Sequence, residues 1–407
     1  MSRDVVVVGA GLFGTATALH LARSGAHVTL VESGAAASAT TAAGAGFVGL
    51  WAAGYAWYWN ESERDLEQYG IDFYRALAAH PDGVDILLRE TGSAWLAVTD
   101  DGVRDHLGPL ADHPLRPEGS RSLTPDEAAE LIPGLDPAAV TGGFLQPGGI
   151  QISAPDAALA LVAVARAAGV EIVEHAPVTE VLAADGRASG VRTADGRTFT
   201  GDSVVLAAGS WTNELLAPLG RRLPLARVVA SRLTTAPFGL PPLPTLMLPE
   251  LDGLWVREHR GGLTFGNGVG YEPLGEAEAD RRPRRTDLVE AMDAHLAPIL
   301  ARLLPASADA VRETEWTQGV VSYTADRRFL AGPVPELPGL FVAAGDNESG
   351  VTHGPGLGRL VAELVLEGRS SLGDPDRYAP SRFAPQPFAD EAAVLAAMPP
   401  RREVDAR

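Results

Sequence analysis

The 407-residue sequence contains no cysteine and no lysine, so all 33 of its basic residues are arginine. Without cysteine there is no disulfide, thiolate metal site, cysteine nucleophile or cysteinyl link to a cofactor. Without lysine no Schiff base forms and no ammonium serves as acid or base. The nine histidines show no HExxH or other paired spacing, and no GxSxG nucleophile elbow occurs, so metal and hydrolase chemistries find no support. Positive charge is scarce as well: the 33 arginines face 52 acidic residues, a net charge of −19 that repels nucleic acid and anionic membrane and leaves small molecules as partners. Long apolar runs are missing. The best apolar helix candidate, Ala157 to Ala165, falls short of a membrane span, and the apolar N-terminal run is strand-like rather than signal-like. A cytoplasmic protein without membrane insertion is expected. The 46% hydrophobic content is ample for two domains or one large one.

The stretch that organises the chain is Val5 to Glu32, VVVVGAGLFGTATALHLARSGAHVTLVE. Val5 to Val8 suit a buried parallel strand, which stops at Gly9, Gly11 and Gly14. Gly9 permits a tight turn, Gly11 lets backbone approach a pyrophosphate, and Gly14 allows a helix to pack closely on the strand, with its N-terminus donating to the anion. A helix ending near Gly25 and a strand His27 to Val31 then bring Glu32 to a strand tip, roughly 20 residues past the glycines, where a carboxylate accepts from ribose hydroxyls. This order predicts dinucleotide binding.

Further along, a loop of small residues spans Ser33 to Gly46, and Trp51 to Trp59 crowds five large aromatics into nine residues. Helices are expected at about Glu61 to Ala79, Ala154 to Ala168 and Thr286 to Leu304. Strands are expected at Ser93 to Val98, Gly142 to Gln146, Val170 to Glu174, Leu254 to Val256 and Leu263 to Gly266, with a hairpin-like run over Val178 to Thr200. Two more apolar strands, Ser203 to Ala207 and Leu340 to Ala344, end in glycine as the first one does. Gly354 to Gly368 reads as a glycine-rich turn leading into a helix over Leu357 to Leu366. The fold class is therefore α/β plus α+β: a Rossmann-type nucleotide-binding domain and a second, mainly antiparallel-sheet substrate domain. The first domain is discontinuous, at 1–85, 149–228 and 325–383; the second takes 86–148 and 229–324, and 384–407 form a peripheral tail.

GAGLFGTATA at the N-terminus, VVLAAGSWTNEL at 204–215, YTADRRFLAGPVPELPGLFVAAG at 323–345 and GPGLGRLVAEL at 354–364 together resemble the D-amino-acid oxidase superfamily of FAD-dependent oxidoreductases, nearest the sarcosine oxidase and dimethylglycine dehydrogenase branch. A nicotinamide domain would explain the first motif alone; returning twice to the nucleotide sheet explains the others. The resemblance implies FAD and oxidation of a C–N bond in an amine or modified amino acid, with oxygen or another acceptor taking the electrons. It places the cofactor against Gly9, Gly11, Phe13, Gly14, Glu32, Ser33, Ser38, Thr40, Thr41, Gly44, Ala45, Gly46, Val178, Ala208, Gly209 and Trp211. It sets Gly345, Asp346, Gly350, Val351 and Thr352 along the flavin ring, where helix N–H groups favour negative charge on the reduced ring.

The departures from the pattern are informative. Thr41 stands where the dimethylglycine-dehydrogenase-like members link FAD through histidine, and the Val321-Ser322-Tyr323-Thr324 run lacks the linking cysteine of the sarcosine-oxidase-like members, so a non-covalent FAD is expected. Thr264 falls at the position of the oxidases' oxygen-promoting lysine. The arginines that hold substrate carboxylates in the family are missing near Val321 and near Phe47 to Leu50. His353 is the candidate for polar contact and proton handling at the flavin, and Tyr323 for contact with substrate. Of Asn347 and Glu348, one is expected to point into the site. Trp51, Tyr55 and Trp59 share helical spacing and serve either as core or as an aromatic wall for a substituted ammonium. Two other readings stand beside amine oxidation: a 2-hydroxy acid or ring substrate on the same fold, and a flavin-binding protein without turnover.

Overall fold

The computed structural model describes residues 3–49, 60–80, 84–275, 283–335, 337–384 and 386–399. The valine run forms the strand Asp4–Val8 inside a six-stranded sheet. The strands lie in the order Leu330–Pro333, Leu340–Ala344, Ser203–Leu206, Asp4–Val8, His27–Val31, Glu171–Val173, all parallel except the first, which is antiparallel to its neighbour. Val5, Val6 and Val7 are fully buried because both faces are covered. The helices Leu12–Arg23, Ala154–Ala167 and Gly350–Glu367 cover one face. A small antiparallel sheet over Val178–Ala184, Arg187–Thr193 and Thr198–Thr200 packs on the other through Val181 and Val191.

The helices Leu12–Arg23 and Gly350–Glu367 meet through glycine. A Cβ on Gly358 would lie 2.6 Å from Ala16 Cβ and 2.7 Å from the Thr17 nitrogen, and one on Gly354 would lie 2.8 Å from Leu12 Cδ2. This corrects the expectation of a turn at Gly354: the helix already starts at Gly350, carries Pro355 inside it, and uses its glycines for close approach.

The second sheet has nine strands among the described residues and is mainly antiparallel. Leu225–Thr235, Gly262–Gly266, Leu254–His259, Thr245–Leu248, Ser93–Ala97 and Gly142–Gln146 follow one another across it, with Thr245–Leu248 and Ser93–Ala97 parallel. Thr314–Thr324 pairs with Leu225–Thr235 along its whole length. One face rests on the helix Thr286–Leu303 through Leu233, Leu263, Phe265, Met292 and Leu296.

The expected boundary at 228 falls inside the strand Leu225–Thr235, which belongs to the second sheet along its whole length. Of the tail expected to be peripheral, the described residues 386–399 pack onto the fold. Their helix Glu391–Ala397 buries Val394 completely against Ala226 and Ala325, and the Glu391 carboxylate accepts from Arg227 Nε at 2.8 Å and from the Arg227 amide at 2.9 Å.

Candidate active site

At the carboxyl end of Asp4–Val8 the backbone of Gly9 has φ +103°, and a Cβ there would sit 2.4 Å from the Ala207 carbonyl oxygen. Only glycine fits. Gly14 lies behind the turn, where a Cβ would be 1.8 Å from the Gly9 oxygen. Glu32 closes the loop: its carboxylate accepts from the amides of Ala10 at 2.7 Å and Gly34 at 2.8 Å, and from Ser33 Oγ at 2.9 Å. Thr41 Oγ1 accepts the first-turn N–H of Leu12 at 3.1 Å, and Thr40 Oγ1 donates to the Val320 carbonyl at 2.8 Å, tying the small-residue loop to the second sheet.

A cavity of about 1210 Å³ begins at this turn and continues between the two sheets. Of the residues expected at the cofactor, Gly9, Gly11, Phe13, Glu32, Ser33, Ser38, Thr40, Thr41, Gly44, Ala45, Gly46, Val178, Ala208, Gly209, Trp211, Asp346, Gly350, Val351 and Thr352 line it. Tyr323 and Glu348 line it too. Because the helix starts at Gly350, its N-terminus faces the cavity directly. The Asp346 carboxylate does not hang free: Oδ1 accepts from the Ser322 amide at 2.7 Å and from Ser322 Oγ at 2.6 Å, while burial pushes its pKa up.

Four residues expected at the site, His353, Thr264, Gly345 and Gly14, do not line the cavity. His353 lies outside the cavity lining, with its ring 5.2 Å from that of Phe329 and Nδ1 bonded to the Ser349 carbonyl at 3.2 Å; burial lowers its pKa to about 4, so it is neutral and holds the helix end rather than a proton at the flavin. Asn347 is turned into the backbone, accepting from the Thr324 amide at 2.9 Å and donating to the Gly345 carbonyl at 2.8 Å. Of the Asn347 and Glu348 pair, Glu348 is thus the one at the cavity. Thr264 is fully buried, its hydroxyl spent on the Leu233 carbonyl at 3.0 Å. Gly345 packs instead under Thr324, whose Cγ2 would lie 2.4 Å from a Cβ. Gly14 supports the turn from behind without lining the cavity. Trp51, Tyr55 and Trp59 lie outside the described residues.

The far wall of the cavity is one that the sequence reading missed. Trp95, Met247 and Trp255 are direct cross-strand partners in a row, all three line the cavity, and Phe47 meets Trp255 edge-on at 5.3 Å. The row continues to Gly266, paired with Trp255, over which the indole lies. Beyond it comes Arg232, which also lines the cavity. Arg257, two residues along the strand from Trp255 and on the same face, donates Nε to the Ala45 carbonyl at 2.5 Å and a terminal nitrogen to the Glu258 carbonyl at 2.9 Å; burial and the nearby Arg232 charge lower its pKa to about 9. Two tryptophans and an arginine at alternating strand positions were the available signal.

A glycine turn at a helix N-terminus, a carboxylate at the second strand tip and a cavity shared with a large antiparallel sheet define the dinucleotide-binding class of fold. The chain belongs to the DAO family of FAD dependent oxidoreductases, whose model matches residues 4–364. It is 32% identical over 394 residues to 4-methylaminobutanoate oxidase (formaldehyde-forming) of Paenarthrobacter nicotinovorans, a match covering 92% of this chain but 45% of that protein. It is 31% identical over 394 residues to glycine oxidase of Pseudomonas aeruginosa, covering 94% and 99%. The crystal structure of glycine oxidase from Geobacillus kaustophilus superposes with a TM-score of 0.80 at 28% identity, covering 94% and 100%. The residues present fit FAD: the turn at Gly9 admits no side chain, and two helix N-termini, at Leu12 and Gly350, open onto one cavity.

Proposed function

We propose that this flavoenzyme oxidises the C–N bond of a small amine or modified amino acid to an imine, which water then hydrolyses, with oxygen or another acceptor regenerating the cofactor. The observation that carries this reading is the single cavity joining the glycine turn to the wall of Trp95, Met247 and Trp255. FAD, when bound, supplies the two-electron acceptor. The chain's own part is to bind, orient and exclude water. Gly9, Gly11 and the Leu12 helix end would hold the pyrophosphate and Glu32 the ribose. The amides of Gly350–Thr352 favour negative charge next to them. Tyr323 and Glu348 are among the polar residues lining the cavity where the amine would lie, and the tryptophan wall attracts its substituents.

Non-covalent attachment belongs to the same reading, supported by the absence of cysteine and by Thr41 at the linking position. So do a cytoplasmic location and the absence of nucleic-acid partners, the latter supported by the net charge of −19. No helix among the described residues is long and apolar enough to cross a membrane.

The test is anaerobic mixing of the holoenzyme with secondary and tertiary amines, amino acids and 2-hydroxy acids while following flavin absorbance, then admitting air. Bleaching by one amine class is expected, and the rate of recolouring separates oxidase from dehydrogenase. Bleaching by hydroxy acids alone overturns the C–N assignment, and bleaching by dithionite only points to a flavin protein without turnover. Acid precipitation should leave FAD in the supernatant.

A further inference from the structure

We propose that Arg232 receives an anionic group of the substrate, so that the amine oxidised here carries a carboxylate and an apolar or aromatic body lying along Trp255 and Met247. This rests on the cavity being the substrate site of the reaction proposed above.

Arg232 lines the cavity yet forms no ion pair among the described residues, and its Nε is buried without a hydrogen-bond partner. Among the described residues its guanidinium makes one long hydrogen bond, 3.4 Å, from a terminal nitrogen to Thr264 Oγ1. The positive charge around it is not neutralised locally. Arg257 is near enough for the two charges to disfavour one another, and the carboxylate of Glu258, next to it in the chain, is spent accepting from the Gly261 amide at 2.6 Å. Burial lowers the pKa of Arg232; burial first, and then the charges of Arg257, Arg232 and Arg260, lower that of His259 to about 4, with Arg260 itself paired to Asp156 at 2.9 Å. A buried guanidinium without a counter-ion is costly. One that lines a ligand cavity recovers that cost when a carboxylate arrives, in a charge-assisted and often bidentate contact.

The position sets the shape of the ligand. One residue beyond the Leu233–Phe265 pair, Arg232 sits opposite Gly266, and Trp255 is the next partner in the row. Gly266 contributes no side chain there, and the Trp255 indole covers it, with its ring atoms 3.0 Å from where a Cβ would be. The anion site is therefore bordered by an aromatic face on one side. Along its own strand Arg232 pairs with Thr317, three residues from Val320, which puts the anion roughly 10 Å along the strand from the point where Thr40 meets it.

The test titrates the FAD-loaded enzyme with phenylacetate and with its neutral counterpart phenylacetamide, followed by the flavin spectrum and by tryptophan fluorescence. Wild type should bind phenylacetate about 10- to 100-fold more tightly than the amide. Arg232→Gln should abolish the preference while keeping FAD content and unfolding temperature, and Arg232→Lys should retain part of it. Equal binding of the two probes by wild type overturns the proposal whatever the variants do. An undiminished preference in Arg232→Gln overturns it as well. Because binding is measured, a carboxylate preference with no amine able to reduce the flavin leaves the anion site standing and removes the oxidation reading; amine oxidation without that preference does the reverse.

Discussion

The Tyr74 hydroxyl donates to the main-chain carbonyl of Val351 at 2.8 Å. In an ordinary helix the amide four residues on would fill that place, but here it is the nitrogen of Pro355, which has no hydrogen. Tyr74 thus repairs a gap in the helix whose first turn, Gly350 to Thr352, faces the cavity.

Tyr74→Phe should therefore cost about 1 to 2 kcal/mol by leaving a buried carbonyl unsatisfied. In a Pro355→Ala background, where the amide is restored, the same substitution should cost measurably less. Chemical denaturation of the four proteins in this cycle checks the coupling; additive effects would refute it.

Gly358→Ala forces a Cβ to within 2.6 Å of Ala16 and 2.7 Å of the Thr17 nitrogen, so the helices Leu12–Arg23 and Gly350–Glu367 must separate. A loss of about 1 to 3 kcal/mol is expected. Since one of these helices presents the phosphate turn and the other the cavity end, FAD content after gel filtration should fall with it.

His353 has its pKa lowered by burial from 6.5 to about 4. The folded state holds it neutral while the unfolded chain takes the proton first, so its contribution is complete above pH 6.5 and is lost as the pH falls towards 4. The full effect is roughly 3 kcal/mol. His353→Phe keeps a ring against Phe329 and should flatten the acid limb of stability against pH. It should leave the pH dependence of turnover between 6 and 9 unchanged, because the side chain lies outside the cavity lining.

Glu391 and Arg227 pair at 2.8 Å with side chains only 14% and 9% exposed. Glu391→Ala strands the arginine charge against the second sheet, with an expected loss of roughly 3 kcal/mol. Limited proteolysis should then release the C-terminal segment earlier than in wild type.

Some of this protein is written in local sequence. The run Val5 to Val8, the spacing of Gly9, Gly11 and Gly14, and Glu32 at the next strand tip fix a nucleotide turn, because strand, tight turn and helix start each follow from residues adjacent in the chain. The repeated ending of apolar strands in glycine at Ala207 and Ala344 likewise marks a return to the same sheet edge. The helices Ala154–Ala167 and Thr286–Leu303 could be read from composition and periodicity for the same reason.

Tertiary structure alone decided the rest. Alternation along a strand tells which residues share a face but not what that face meets, so nothing local separates Arg232 at the cavity from Thr264 in the core. Trp95 and Met247 become partners through a parallel pairing of strands about 150 positions apart, a contact set by packing of the whole sheet. The glycines near Pro355 read as a turn until the Leu12–Arg23 helix is seen pressed against them, and His353 reads as a candidate for polar contact and proton handling until the helix is found to start at Gly350, with that side chain against Phe329 and outside the cavity lining.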